Sequence, residues 1–229
     1  MDGSRWRGTA MLLLVSTAAV SLIGCGNPAT SATTSGTGAA PFTAAKLRAA
    51  LLTKVNGIEA AAPATTGDYT SLAAVDPSRH MSAGVRVTPK ACTGYAPSGL
   101  NASLIAGSPA AAVAFRVGHN AVSEMLVSSS ATSSALRAKV PAQCARYAET
   151  IGGKTFRYTV KESAIKGIGE EAHVLNVRST GGTADDMWSL VYRGPGFVGS
   201  VTVVGPGASE AAVKSVGKRA YAFAAKELS

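Results

Sequence analysis

Met187-Trp188-Ser189-Leu190-Val191-Tyr192-Arg193-Gly194-Pro195-Gly196-Phe197-Val198-Gly199-Ser200-Val201-Thr202-Val203-Val204 sets two apolar, β-branched and aromatic runs either side of a Gly-Pro-Gly break. Runs of this length and composition read as strands, and the break between them as a turn. Trp188, Leu190 and Tyr192 occupy alternate positions, so they share one side of their strand. A connection this short makes the two strands antiparallel neighbours. The same pattern extends upstream: 155–161 and 173–179 read as strands, with Phe156, Tyr158 and Val160 on one side and Gly181-Gly182 as a turn signal. Further back, 111–117 and 121–128 flank Gly118-His119-Asn120, which reads as a hairpin turn needing unusual backbone angles.

Helical spacing marks three other segments. In 43–55, Leu47, Leu51 and Val55 lie four apart, with Thr43 as N-cap and Asn56-Gly57 as the stop. In 130–149, Leu136, Val140, Cys144 and Tyr147 share a face, Pro141 kinks the helix or starts its second half, and Gly152-Gly153 ends it. The last helix, 209–228, carries Val213, Val216, Ala220, Phe223 and Ala224 on one stripe. Between 59 and 109 the chain is rich in Ala, Pro, Gly and Ser, with weak signals at 69–75 and 85–88, and reads as loops, short helical turns and at most one strand, stapled near Cys92. The sum is an α+β domain: a single antiparallel sheet of about five to seven strands covered by helices, the C-terminal helix among them.

The start of the chain has a different character. Arg5 and Arg7 precede a mostly apolar run, 9–23, too short and too interrupted by Ser16 and Thr17 to span a membrane comfortably. That is the layout of a secretory signal. Leu22-Ile23-Gly24-Cys25 resembles the bacterial lipoprotein signal, whose last residue is an obligatory cysteine. The resemblance implies cleavage before Cys25 and a diacylglycerol thioether on its sulfur; an ordinary signal site with a chance cysteine is the alternative. On this reading 1–24 is the signal peptide, 25–41 the lipidated cysteine and its tether, and 42–229 the envelope domain. The tether, GNPATSATTSGTGAA at 26–40, has no charged or large apolar residue and cannot offset its ordering entropy. As a flexible coil it spans roughly 20 Å, which puts the domain close to the extracytoplasmic face of the cell membrane.

Lys and Arg total 22 against 13 Asp and Glu, a net charge of +9, and losing Arg5, Arg7 and Asp2 with the signal leaves +8. The basic residues are scattered with no aromatic-interleaved cluster, so a nucleic-acid partner is not expected. Anionic envelope lipid or polymer is a better match, beside the plain alternative of a solvated basic surface. The local concentration is Lys214, Lys218, Arg219 and Lys226 on the last helix. With Cys25 acylated, Cys92 and Cys144 remain as a pair in an oxidising compartment. A bond between them is the expectation and two buried thiols the alternative; the loop it closes is worth roughly 4 kcal/mol.

Candidate chemistry is thin. Gly152-Gly153-Lys154-Thr155 ends like a phosphate-binding loop, but Ala148 stands where that motif needs glycine, and a helix-to-strand turn explains it. His80, His119 and His173 are far apart, without a metal-ligand spacing, so exposure or a satisfied hydrogen bond is expected for each. There is no nucleophile elbow, and bonded cysteines cannot attack. Glu170-Glu171 and Asp185-Asp186 are adjacent, which on a strand points the two carboxylates to opposite faces and in a loop leaves both solvated. No catalytic residue, metal site or cofactor beyond the lipid on Cys25 is assigned.

Several segments together resemble a known group: Phe42-Thr43-Ala44-Ala45-Lys46-Leu47 with Leu51-Leu52, the Val87-Thr88-Pro89 approach to Cys92, Leu136 through Cys144 to Tyr147, Gly167-Ile168-Gly169-Glu170-Glu171-Ala172, and Gly196-Phe197-Val198-Gly199-Ser200-Val201 before an alanine-rich helix. They resemble mycobacterial and related actinobacterial lipoproteins whose domain is similar to the extracellular sensor of the PknH receptor kinase. The rival is the LpqN-like lipoprotein group with its Mog1/PsbP-like fold. Either resemblance implies a noncatalytic envelope domain, and the first a cleft between sheet and helices for a small ligand. The expected function is therefore a membrane-anchored, sensor-like module binding a ligand or an envelope protein. A scaffolding lipoprotein without a pocket is the alternative, and a hydrolase a more distant one. Phe156, Tyr158 and Trp188 are the candidate lining of a pocket, against the alternative of ordinary core packing.

Overall fold

The computed structural model describes residues 41–72, 85–92, 99–129, 136, 139–180 and 186–229. Its centre is the pair read first: β10 (Asp186–Gly194) and β11 (Phe197–Val204) are antiparallel, with Gly194 opposite Phe197 across Pro195-Gly196. Proline supplies the fixed φ of the first turn position, and Gly196, at φ +77°, supplies the positive φ of the second. Gly199 serves a different need. A Cβ there would collide with the ring of Tyr192, which lies across the glycine from the neighbouring strand.

Seven further strands complete the main sheet among the described residues: β3 (Thr65–Asp68), β4 (Arg86–Thr88), β5 (Pro109–Val117), β6 (Asn120–Ser128), β7 (Arg146–Ile151), β8 (Lys154–Ile165) and β9 (Glu171–Thr180). Their order is β3-β5-β6-β11-β10-β9-β8-β7-β4, with every pair antiparallel. The α+β class holds, with nine strands where about five to seven were expected. The additional strands come from two places. β3 and β4 are short edge strands in the Ala/Pro/Gly-rich region: β4 falls on the weak 85–88 signal, β3 lies where periodicity carries none, and the 69–75 signal begins as the 3-10 turn Tyr69–Ser71. β7 occupies the end of the segment read as a helix to 149. Pro141 introduces only a 3-10 turn, Ala142–Cys144, and the chain then extends so that Tyr147 stacks on Tyr158 of β8 at 4.9 Å. Spacings of three and four thus arose from a turn followed by a strand, with cross-strand packing deciding the outcome. The earlier part of that expected helix, 130–135 with 137 and 138, lies outside the described residues, as does the Gly181-Gly182 turn.

Of the other expected helices, the first is shorter than its pattern. α1 is Ala44–Ala49, capped by Thr43, whose hydroxyl accepts from the Lys46 amide. Asn56-Gly57 does not end it; both residues have positive φ, 51° and 80°, and form the turn between β1 (Lys54–Val55) and β2 (Ile58–Glu59). That pair of angles is what a two-residue hairpin demands of an Asn-Gly sequence. α2 is the single turn Ala102–Ile105. α3, Glu210–Glu227, matches the expected C-terminal helix, with Ser209 as N-cap and Val213, Val216, Ala220 and Ala224 buried. Among the described residues no helix is long and apolar enough to cross a membrane.

Side-chain alternation feeds two cores, one on each face of the sheet. On one face Val113, Phe115, Val122, Leu126, Leu190, Tyr192, Phe197 and Val201 pack under Leu47 and Leu51 of the α1 segment and Val213, Val216 and Ala220 of α3. On the other, Met125, Val127, Leu175, Val177, Val191 and Val198 pack under Tyr69, Leu72, Leu100, Ile105, Leu136 and the cystine. This explains why β11 carries apolar side chains on both faces, Phe197, Val201 and Val203 on one and Val198 on the other, with Ser200 and Thr202 as its polar positions. The second cover has little regular structure. Its staple is the Cys92–Cys144 disulfide, Cα atoms 5.6 Å apart, which ties the 3-10 turn Lys90–Cys92 to the turn before β7.

Closing 52 residues of chain separation in this way contributes about 4 kcal/mol through the unfolded state. Replacing both cysteines by serine should lower the urea-unfolding free energy by about that amount. A double variant as stable as the parent would contradict the staple.

Candidate functional site: a groove beside a buried carboxylate

β6 alternates Val122, Glu124, Leu126 and Ser128 on the face that α1 covers, so the pleat alone places a carboxylate inside an apolar layer. Glu124 sits opposite Val113 of β5 and Val201 of β11 and is 1 % exposed. Its Oε2 accepts the Leu52 amide N–H at 2.9 Å, just beyond the end of α1. Its Oε1 is buried with no hydrogen-bond partner among the described residues, and so is the hydroxyl of Tyr192. Removal from water disfavours the charged carboxylate, and one amide offsets only part of that cost. Burial therefore pushes the Glu124 carboxyl up to about 7, against the lowering by the Leu52 hydrogen bond. Burial also pushes the Tyr192 hydroxyl well above its usual range, with the charges of Glu124 and Tyr221 adding to it.

Leu52 joins this carboxylate to the surface. Its backbone holds Glu124, while its side chain lines an open groove of about 570 Å³ with Arg48, Leu51, Thr53, Lys54, Glu59, Ala60, Ala64 and the strand residue Val113 among its walls. The floor is aliphatic and the rim is charged. Lys54 and Glu59 pair across the β1–β2 hairpin at 3.1 Å, whereas Arg48 has no ion pair among the described residues. The hairpin is itself tied to α3, because Arg219 donates to the Asn56 side chain at 3.1 Å.

A second polar cluster lies on the opposite face, near the end of β8 and the start of β9. His173 Nδ1 is 3.2 Å from Glu162 Oε1, and its Nε2 is 3.0 Å from Glu171 Oε1. Glu162 also accepts the Val140 amide at 2.7 Å. Both ring nitrogens thus face carboxylates, and Nε2 shares a hydrogen bond with Glu171. This is the satisfied hydrogen-bonding state expected for His173. Among the described residues no group of three or more His, Cys, Asp or Glu is arranged to hold a metal ion.

Cys92 and Cys144 are joined; Cys25, His80 and Asp185 lie outside the described residues. His119 is exposed in the β5–β6 turn. Gly152-Gly153 joins two strands, β7 and β8, and not a helix to a strand. Glu170 and Glu171, expected on opposite faces of a strand or both solvated in a loop, instead both reach Arg193: Glu170 through its Nη1, Glu171 at 3.7 Å from its Nε. Asp186 pairs with Arg178 at 2.9 Å. The sheet aromatics do not line one pocket: Tyr158 packs with the cystine-side core and Trp188 with the helix-side core. Glu124 was not singled out, although a carboxylate in phase with Val122 and Leu126 is the signal that marks it.

No protein-family model matches the chain, and no curated protein matches it. Among solved structures it is similar to the extracellular domain of PknH from Mycobacterium tuberculosis, at 15% identity over 83% of this chain and 98% of that one, TM-score 0.49. It is also similar to an uncharacterized protein from Mycobacterium smegmatis, at 17% identity over 82% of this chain and 94% of that one, TM-score 0.44.

The folded-state value of Glu124 lies above the usual 4.5, so the folded chain binds this proton more readily than the unfolded chain. Stability from this group is fully present below about 4.5 and is lost as pH rises through about 7, at a cost of about 3 kcal/mol. Glu124→Gln keeps the acceptor for Leu52 and removes the titration. Denaturant unfolding from pH 4 to 8 should show the parent falling relative to this variant by about that amount, and parallel profiles would contradict the assignment.

Proposed function

We propose that this protein is a lipid-anchored, extracytoplasmic binding module of the cell envelope, noncatalytic, whose groove beside α1 takes a small amphipathic ligand. The observation that carries the reading is the groove itself. Its volume of about 570 Å³ falls in the range of small-molecule sites, Leu51, Leu52 and Val113 offer an apolar floor, and Arg48 offers a cation for an acidic end. Support for the setting comes from Cys25 at the close of a lipoprotein-type signal and from the Cys92–Cys144 disulfide, which suits an oxidising compartment. The described site offers binding surface and no nucleophile paired with a free base, which favours contact over turnover.

Two results test the reading. Cys25→Ala should move the protein from the membrane fraction to the soluble one; retention in the membrane would remove the anchor. A fluorescent long-chain carboxylate, dansylundecanoic acid, should bind the chain saturably, and Arg48→Glu should weaken it about tenfold or more by reversing the rim charge. Equal binding by both forms would place the probe outside the groove.

A further inference from the structure

We infer that a second site, between the β8–β9 turn and α3, binds a phosphate group. A cavity of about 490 Å³ is lined there by Ala164, Ile165, Lys166, Gly167, Ile168, Lys214 and Lys218. Three of these residues are cations and none is an acid. Glu170 is paired with Arg193 and Glu171 with His173 and Arg193, away from the cavity, whereas Glu210 pairs with Lys214 at its edge. Lys166 and Lys218 have no ion pair among the described residues. Like charges gathered round one concavity repel one another, and an anion held among them reverses the sign of that energy.

The turn that carries Lys166 is held from several sides. Ile168 is buried in the helix-side core, 6 % exposed, and the Glu170 amide donates to the Arg193 carbonyl at 2.9 Å. Gly169 lies so close to that same carbonyl that a Cβ would not fit. From the other side, Lys214 and Lys218 stand four residues apart and so rise from one face of α3. Val213, Val216 and Gly217 bury the neighbouring face of the helix; Gly217 lies against Leu190. The two walls of the cavity are therefore positioned by the core and not by the lysines. Amine donors on fixed walls suit a phosphate, which accepts charge-assisted hydrogen bonds from several directions. The cavity shares no lining residue with the groove beside α1, so this inference stands apart from that reading.

A phosphate of this kind belongs either to a lipid headgroup or to a soluble ester, and two arms separate them. The full chain with Cys25→Ala, so that no acyl chain contributes, is titrated with inorganic phosphate at constant ionic strength. The amides of Gly167 and Ile168 are followed by NMR, and the same chain is floated with phosphatidylglycerol or phosphatidylcholine vesicles. Saturable amide shifts are expected, weakened about tenfold or more in Lys166→Ala/Lys218→Ala and unchanged in Lys154→Ala/Lys226→Ala, which removes the same charge elsewhere. Glu210→Gln, which frees Lys214, should tighten binding roughly two- to fivefold. Flotation with phosphatidylglycerol that is lost in the Lys166/Lys218 variant assigns the phosphate to lipid; phosphate binding without flotation assigns it to a soluble ester. Absent or non-saturable shifts, or equal affinity in the two double variants, would overturn the site.

Discussion

The structure depends on a sheet whose central strands are buried on both faces. β11, between β6 and β10, sends Phe197, Val201 and Val203 under the helices and Val198 under the cystine-linked segments. Each cover excludes water from one side of the same ladder, and the apolar area removed is the main favourable term available to a chain of this composition. Side chains must then fit in both directions at once. The ring of Tyr192 fits against Gly199 on the helix face, in edge contact with Phe197 and Tyr221 at 6.3 and 5.6 Å.

The two covers are built differently. The cystine-side cover is made of short turns, so a covalent bond does there what the long helix α3 does opposite. On the helix side, α3 is long and capped, while α1 is under two turns and is held in part by one hydrogen bond from Leu52 to a core carboxylate. Burying Glu124 costs stability near neutral pH, a cost an apolar residue would not carry. What the chain gains is a polar attachment for the segment that forms the groove wall. The lysine-lined cavity lies at another margin of the same helix-side cover, where α3 meets the β8–β9 turn.

Much of this arrangement is legible in the residues. The β10–β11 and β5–β6 hairpins and the C-terminal helix follow from turn chemistry and periodicity, which are local signals. Other elements were hidden for identifiable reasons. Asn56-Gly57 satisfies both a helix stop and a hairpin turn, and only the pairing of Lys54 with Glu59 decides between them. Cys144 and Tyr147 fit a helical spacing, but Tyr147 is fixed by stacking across β8, a contact between strands that the sequence does not pair explicitly. Edge strands β3 and β4 owe their form to neighbours distant in the chain. The site was less legible than the fold. The groove's walls come from β5 and the α1–β2 segment, and the lysines of the second cavity meet only once β8 and α3 pack, although Lys214 and Lys218 were visible as a local concentration.

Native-state hydrogen exchange across the sheet tests the double burial most directly. Amides of β6, β11 and β10 should exchange slowest, at rates set by global unfolding, and those of β3 and β4 at the edges fastest. Exchange of β11 at the rate of β3 and β4 would contradict an arrangement in which both of its faces are closed to water.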